Sequence, residues 1–411
     1  MLSEHEKLDT LAHLGIELNR VQDLDILMEK ILSEARRFVN ADAGSIYLKE
    51  NDNLYFSYTQ NATLEQRIRK GEKLIYANFS MPIDQTSIAG YVATTGNALN
   101  IEDVYKIDPS APYRFSQKFD IASDYTTRSA LTFPLKTGRG EILGVLQIIN
   151  AKDDKNQFIP FSDKDLGVMT HFASIASVAI KRARLTRAII LRMIRMAEMR
   201  DPKETGAHVN RVASYSVEIY ERWASHHDLS PEAINNNKDI LRMAAMLHDV
   251  GKIAISDVIL KKPGRFNQEE YEIMKKHTLF GAQLFQDNQS EFDEASAQVA
   301  LNHHEWWNGG GYPGYVDVNT GEPLPGYEEE DGKPKGKKGE EIPIFGRIVA
   351  LTDVYDALCS ARVYKEAWDE DKALAVIREN SGKQFDPELV EILFESLDVI
   401  HSIARRYSEI Q

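Results

Sequence analysis

Cysteine is nearly absent: Cys359 stands alone in 411 residues. No intrachain disulfide and no thiolate zinc site can form, which fits a reducing compartment, and a cytoplasmic location is expected. Long apolar runs are also missing. No stretch approaches the roughly 18 uncharged apolar residues of a membrane span, and residues 1–7 lack a basic segment leading into an apolar run, so neither membrane contact nor secretion is expected. Positive charge is in deficit, with 49 Lys+Arg against 63 Asp+Glu and a net charge of −14. That balance argues against a nucleic-acid polymer as partner, because a grip on a phosphate backbone needs clustered Lys and Arg to displace counterions. A phosphate ligand has to be met locally, by metal ions or a few bases. The remaining composition, 43% hydrophobic and 27% charged, excludes disordered and fibrous classes, and the length suits two or three domains of about 150 residues.

Along residues 8–39 apolar side chains recur at helical spacing (Leu11, Leu14, Leu18, Leu24, Leu27, Ile31, Ala35), which predicts one or two amphipathic helices. Residues 40–150 change character. Segments 44–48, 54–58, 129–135 and 144–150 are short, β-rich and separated by Gly, Asn and Asp, the pattern of an antiparallel sheet with flanking helices in an α+β domain. Residues 162–199 are helical again, and their apolar stripe is longer than one domain needs. Burying the excess against a second copy predicts a homodimer through this helix. Beyond Arg200 the pattern stays helical, with Gly/Pro-rich interruptions at 263–266 and 309–343. The expected organisation is a multi-domain chain: an α+β domain over 1–180, a linker and dimerisation helix over 181–200, and an all-α domain over 201–411 with an inserted surface loop at about 315–341.

Histidines mark the chemistry. Of the 11 in the chain, His208, His248, His277, His303 and His304 fall in one stretch beside carboxylates, whereas His5, His13, His171, His226, His227 and His401 lack such company and are read as ordinary packing or surface residues. His248-Asp249 closes the apolar helix over 240–247. Adjacent side chains on a helix diverge by about 100°, so the pair can wrap one ion or let the carboxylate bridge two. Glu204 and His208 stand four apart on one helical face, and Asp353 follows the apolar run 348–351. Together, Glu204, His208, His248, Asp249, His277, His303, His304 and Asp353 exceed what one ion can use. At least two metals sharing Asp249 are therefore expected, and His and carboxylate donors suit Fe, Mn, Co, Ni or Zn. Two ions a few ångströms apart are a general device for in-line attack on a phosphodiester.

The segments His248-Asp249-Val250-Gly251-Lys252-Ile253, Leu260-Lys261-Lys262-Pro263-Gly264, His277 and His303-His304-Glu305-Trp306-Trp307-Asn308-Gly309-Gly310-Gly311-Tyr312-Pro313 resemble the HD-GYP family. These are helical HD-superfamily phosphodiesterases that hydrolyse the bacterial second messenger cyclic di-GMP, and the resemblance covers residues 195–408. It implies metal ligation by His208, His248, Asp249, His277, His303, His304 and Asp353, with Glu204 matching the subgroup that holds a third metal, commonly iron, and carries hydrolysis past linear pGpG to GMP. Two or three divalent ions are implied, iron first and manganese second. The resemblance also implies that Asp249 and Lys252 serve catalysis, that Lys252 holds a substrate phosphate, and that Tyr312, Asp356, Arg362 and Lys365 engage substrate. One departure stands out: residues 314–338 intervene between the Gly-Tyr-Pro motif and Gly339-Glu340-Glu341-Ile342-Pro343, where the family passes in a few residues.

The first half resembles a GAF domain, a sensory α+β module, through Ala41-Asp42-Ala43-Gly44-Ser45-Ile46-Tyr47-Leu48, Ser87-Ile88-Ala89-Gly90-Tyr91-Val92-Ala93, Asn100-Ile101-Glu102-Asp103-Val104 and Gly144-Val145-Leu146-Gln147-Ile148-Ile149-Asn150. Asn150, Lys152, Phe161 and Asp163 form a loose version of a signature shared by cyclic-nucleotide-binding members, so a small-molecule or cyclic-nucleotide ligand is a candidate partner. Three rival readings accompany the phosphodiesterase: an HD phosphohydrolase acting on another cyclic dinucleotide or nucleotide, a cyclic dinucleotide receptor without turnover, and a diiron redox or oxygen sensor.

Overall fold

The structure, a computed structural model, describes residues 4–67, 80–198, 206–287, 290–359 and 368–407. Two compact units divide between Thr186 and Arg187.

In the first unit, α1 (Glu4–Arg20) and α2 (Leu24–Phe38) precede the hairpin β1 (Ala41–Glu50) and β2 (Asn53–Asn61). Then come α3 (Ala62–Glu65), β3 (Ser80–Pro82), α4 (Ile88–Thr95), β4 (Leu99–Ile101) and α5 (Lys118–Ser123). Strands β5 (Ala130–Lys136), β6 (Ile142–Lys152) and β7 (Phe158–Ile159) complete an antiparallel sheet of order β3-β2-β1-β6-β5-β4, with β7 on β6. Because side chains alternate along a strand, both faces can be apolar and both are covered. Ile46, Leu48, Phe133 and Leu146 join Leu27 and Ile31 of α2 and Phe172 and Ala176 of the long helix α6 (Asp163–Glu198) in one core. Tyr47, Leu54 and Val145 face the other way, onto Ala89, Val92 and Ala93 of α4. The start of α2 is set by Asp23, whose side chain accepts from the amides of Asp25 and Ile26, replacing partners the first turn lacks.

On the α4 side a cavity of about 630 Å³ opens, with Tyr47, Phe56, Met81, Ile88, Val104 and Phe115 among its walls. Three of the four residues of the loose nucleotide-binding signature, Asn150, Lys152 and Phe161, serve the architecture. Asn150, fully buried in a left-handed backbone conformation (φ 59°) that asparagine tolerates, accepts from the Arg128 amide at 2.6 Å and donates to Tyr125 Oη and Thr126 O. Lys152 pairs with buried Asp42 at 3.2 Å, and the carbonyl of Phe161 accepts from Asn100.

The second unit is helical: α7 (Gly206–His226), α8 (Pro231–Met246), α9 (Asp257–Leu260), α10 (Gln268–Lys275), α11 (His277–Gln283), α12 (Glu291–Asn302), α13 (Ile344–Cys359), α14 (Glu370–Glu379), α15 (Pro387–Glu395) and α16 (Leu397–Arg406). Its core gathers Val212 and Ile219 of α7, Leu241 and Ala244 of α8, Val299 of α12 and Ile348 and Leu351 of α13. The α+β domain followed by an all-α domain is thus observed, and the division between units falls within α6, inside the stretch expected as linker. Among the described residues no helix is long and apolar enough to cross a membrane.

The inserted loop is more ordered than a free surface excursion. Isolated bridges join Val316 to Pro323 and Glu328 to Pro334, Tyr315 stacks on Tyr327 at 4.0 Å, and Gln283 of α11 donates to Val318 O. Its return limb is pinned where Lys337 donates to Asn302 at the end of α12.

Replacing Asn150 by Ala removes three hydrogen bonds from a buried corner. A loss of about 2–4 kcal/mol is expected, read as a lowered unfolding midpoint with metal content unchanged; an unaltered midpoint would show that these bonds do not hold the corner.

Candidate metal centre

Helix α8 carries its apolar face into the core and ends at Met246, which leaves His248 and Asp249 just beyond its last turn. A 3-10 turn, Val250–Ala254, follows. Gly251 in that turn lies against the start of α11 so closely that a Cβ there would sit 2.0 Å from His277 O and 2.3 Å from Gly281 N. Only glycine permits the approach, and the approach fixes Asp249 relative to His277. His303, the residue after α12, and His304 enter from a third side. His208 of α7 and Asp353 of α13 supply the rest.

These side chains form two groups whose ligand atoms lie within 4.8 Å of one another: Asp249, His277, His303 and His304, and His208, His248 and Asp353. Asp249 joins them. Its Oδ1 is 3.2 Å from His277 Nε2 and 3.6 Å from His303 Nε2, and its Oδ2 is 3.2 Å from His248 Nε2. In the second group His208 Nε2 is 3.5 Å and His248 Nε2 3.9 Å from Asp353 Oδ1.

Hydrogen bonds behind the rings determine the tautomers. Nδ1 of His248 donates to Ala245 O, that of His277 to Met274 O, and that of His303 to Val299 O and Ala300 O. A carbonyl only accepts, so Nδ1 carries the proton and Nε2 turns a lone pair inward. The Nε2 atoms of His277 and His303 stand 3.4 Å apart, and Asp249 Oδ1 is buried without a hydrogen-bond partner among the described residues. Facing lone pairs and an orphaned carboxylate oxygen are what a divalent cation satisfies, and the donor set of imidazole nitrogen and carboxylate oxygen, without thiolate, fits one.

Burial would raise the Asp249 carboxyl, but Lys252, whose Nζ lies 2.6 Å from Oδ2, and the neighbouring imidazoles override it and hold the group well below the usual carboxylate range. Burial pushes His277 down to about 4, against the pull of Asp249. His304 is also driven well below its ordinary value, by burial and then by His303 and His277. Both rings are neutral at pH 7, the form that ligates.

Tyr312 lies flat against His304, with ring centroids 4.9 Å apart, and meets Tyr271 edge-on. Its amide donates to His304 O. The motif therefore backs a ligand. Gly311 of the same motif has no space for a side chain, since a Cβ would lie 2.2 Å from Trp306 N. Glu305, buried, accepts from the amide of Gly314 and ties the motif's far end to the His303-His304 corner.

Asp356 lies behind His208. Expected to engage substrate, it is 1% exposed and its carboxylate is committed: Oδ2 accepts from His208 Nδ1 at 2.8 Å and from Arg211 Nη2 at 2.9 Å, and Oδ1 from Arg211 Nε at 2.7 Å. Arg211 went unnoticed in the sequence; its only signal was the three-residue spacing from His208 that matches the spacing of Asp353 and Asp356. Glu204, Arg362 and Lys365 lie outside the described residues. His227 and His401 pair with Glu388 and Glu370, as ordinary surface histidines do.

The pattern of the GAF domain matches residues 23–180 and that of the HD domain residues 205–358. A cyclic di-GMP phosphodiesterase of Vibrio cholerae serotype O1 is 38% identical over 225 residues, 54% of this chain and 41% of the relative. The cyclic di-GMP phosphodiesterase response regulator RpfG of Xanthomonas campestris pv. campestris is 37% identical over 222 residues, 54% of this chain and 51% of the relative. A 3′3′-cGAMP-specific phosphodiesterase 2 of Vibrio cholerae serotype O1 is 36% identical over 196 residues, 48% of this chain and 32% of the relative. The matched regions thus span about half or less of these curated relatives.

The depressed histidines set a pH dependence for the metal-stripped protein. Between the ordinary value of 6.5 and about 4 for His277, the unfolded chain binds the proton and the folded chain does not, so stability falls as pH falls through that window. Unfolding midpoints of the stripped protein at pH 7, 6 and 5 should decrease in that order, and a flat series would contradict the neutral, buried rings.

Proposed function

From the premise that the chain is a GAF-domain protein of the HD superfamily, we propose that it is a metal-dependent phosphodiesterase that hydrolyses cyclic di-GMP in the cytoplasm to linear pGpG and/or GMP. The observation that carries this reading is the Asp249 carboxylate, its Oδ1 buried, which stands between two groups of candidate ligands, within 3.2 Å of His277 on one side and of His248 on the other. When bound, the two ions, with iron first and manganese second, would polarise the scissile phosphate and lower the pKa of a water. A third ion would draw on Glu204.

The chain's own groups do the rest. His208, His248, His277, His303, His304 and Asp353 would hold the ions, with Asp249 available to both groups. Lys252 keeps its ammonium on Asp249 Oδ2; as the described cation adjoining the shared carboxylate, it takes a substrate phosphate oxygen and is a proton source for the leaving 3′ oxygen. Arg362 and Lys365 neutralise the remaining phosphate charge.

The exposed stripe of α6 supports a homodimer. Val178, Leu185, Ile189 and Met196 are 60%, 58%, 56% and 55% exposed, spaced seven, four and seven residues apart, as in the seam of a parallel coiled coil. The 630 Å³ cavity supports control by a small molecule. A mainly apolar ligand fits the part of the wall where Asp120, Tyr125 and Thr127 are already engaged. Asp120 accepts from Tyr105 Oη and from the amide and hydroxyl of Thr127, and Tyr125 bonds Asp42 and Asn150.

Anaerobic reconstitution with iron or manganese, metal analysis and chromatography of products from cyclic di-GMP and 3′3′-cGAMP test the activity. More than one ion per chain is expected, with pGpG or GMP formed and Asp249→Ala abolishing the product. Metal bound without cleavage would leave a receptor, and preferred cleavage of 3′3′-cGAMP would move the substrate. For the dimer, Leu185→Glu with Ile189→Glu should halve the mass by light scattering and leave metal content intact; an unchanged mass refutes the α6 interface.

A further inference from the structure

Three of the inward-facing histidines lean on backbone carbonyls, whereas His208 leans on a carboxylate. That carboxylate, Asp356, is itself gripped through both oxygens by Arg211, and Arg211 also donates to Tyr407 O beyond the end of α16. The geometry comes from two facing helical turns. His208 and Arg211 are three apart on α7, Asp353 and Asp356 three apart on α13, so each helix presents one residue to the centre and one directly behind it. Ser216 and Thr352 hold the same two helices together at 2.9 Å, one to two turns further along α7.

We infer that Asp356, locked by Arg211, is the positioning residue of the His208–His248–Asp353 group, and that metal affinity there depends on it while affinity at the Asp249–His277–His303–His304 group does not. The inference rests on the metal-centre reading above. Its physical content is twofold. An anionic acceptor fixes the Nδ1–H tautomer of His208, as the carbonyls do for the other rings, and it also raises the electron density that Nε2 offers a cation, which a neutral carbonyl does much less. Arg211 removes the alternative in which Asp356 swings forward to become a ligand, because both its oxygens are held from behind. The pair also brings opposite charges into the core together, so neither is left alone at low dielectric. The two groups therefore differ in what supports them although their ligand types are alike.

The test uses the metal-stripped full-length chain titrated with manganese by calorimetry, and with cobalt(II) followed by visible absorption. Removing Asp356 alone would strand Arg211, so the informative variant is Arg211→Leu/Asp356→Leu, which deletes both charges. Asp356→Asn is its companion, keeping an oxygen that accepts from Nδ1–H. In the double variant one class of manganese site should weaken roughly 10- to 100-fold, with the other unchanged and one component of the cobalt spectrum altered. The Asn variant should fall between the double variant and wild type. Wild-type isotherms and spectra in a double variant of normal unfolding cooperativity would overturn the inference. If the double variant does not fold, an Asn variant identical to wild type in both readouts overturns it. A wild-type chain that binds a single ion would overturn the metal-centre reading and this inference with it.

Discussion

A carboxylate does not go into a protein interior without partners, and the all-α unit is organised around supplying them to one. Asp249 lies beside Lys252 and within reach of His248, His277 and His303. Each neighbour comes from a different piece of chain, namely the end of α8, the turn after it, the start of α11 and the end of α12. Desolvation of the charge would be prohibitive if any of these drifted. The close packing of Gly251 on α11, the carbonyl anchors behind the rings and the stacking of Tyr312 on His304 all hold that arrangement.

Helix ends carry most of the ligands. His248-Asp249, His277 and His303-His304 sit where intrahelical hydrogen bonding stops or starts, and so carbonyls of the last turn are available to accept from Nδ1. His208 lies in the first turn of α7 and Asp353 within α13. Behind His208 the role passes to a side chain, at the cost of burying a compensating arginine.

Much of this was legible in the chain. The ligand candidates were visible because His and Asp occur in contiguous motifs whose spacing survives any tertiary arrangement, and the change from a two-residue to a helical period near residue 160 marked the start of α6, the helix within which the two units divide. The burial of Asp356 left no local mark, because its environment is set by Arg211, 145 residues earlier. The loop over 315–341 reads as a free excursion from its Gly, Pro and charge content, yet Lys337 reaches Asn302, 35 residues back. Asn150 and Lys152 show the converse. Their types suit a ligand site, and their positions, beside Tyr125 and Asp42, use them to close a corner of the sheet.

Fixing the imidazole tautomers from behind has a consequence for metal choice. A centre whose lone pairs already converge needs little rearrangement to accept an ion, and it exerts correspondingly little preference through strain. Nitrogen and carboxylate donors follow the general ordering of divalent cations, in which copper and zinc outcompete manganese and iron. Selectivity must then come from which ions the cell leaves free during folding. Mismetallation, rather than loss of metal, is the failure to which such a preformed centre is most open.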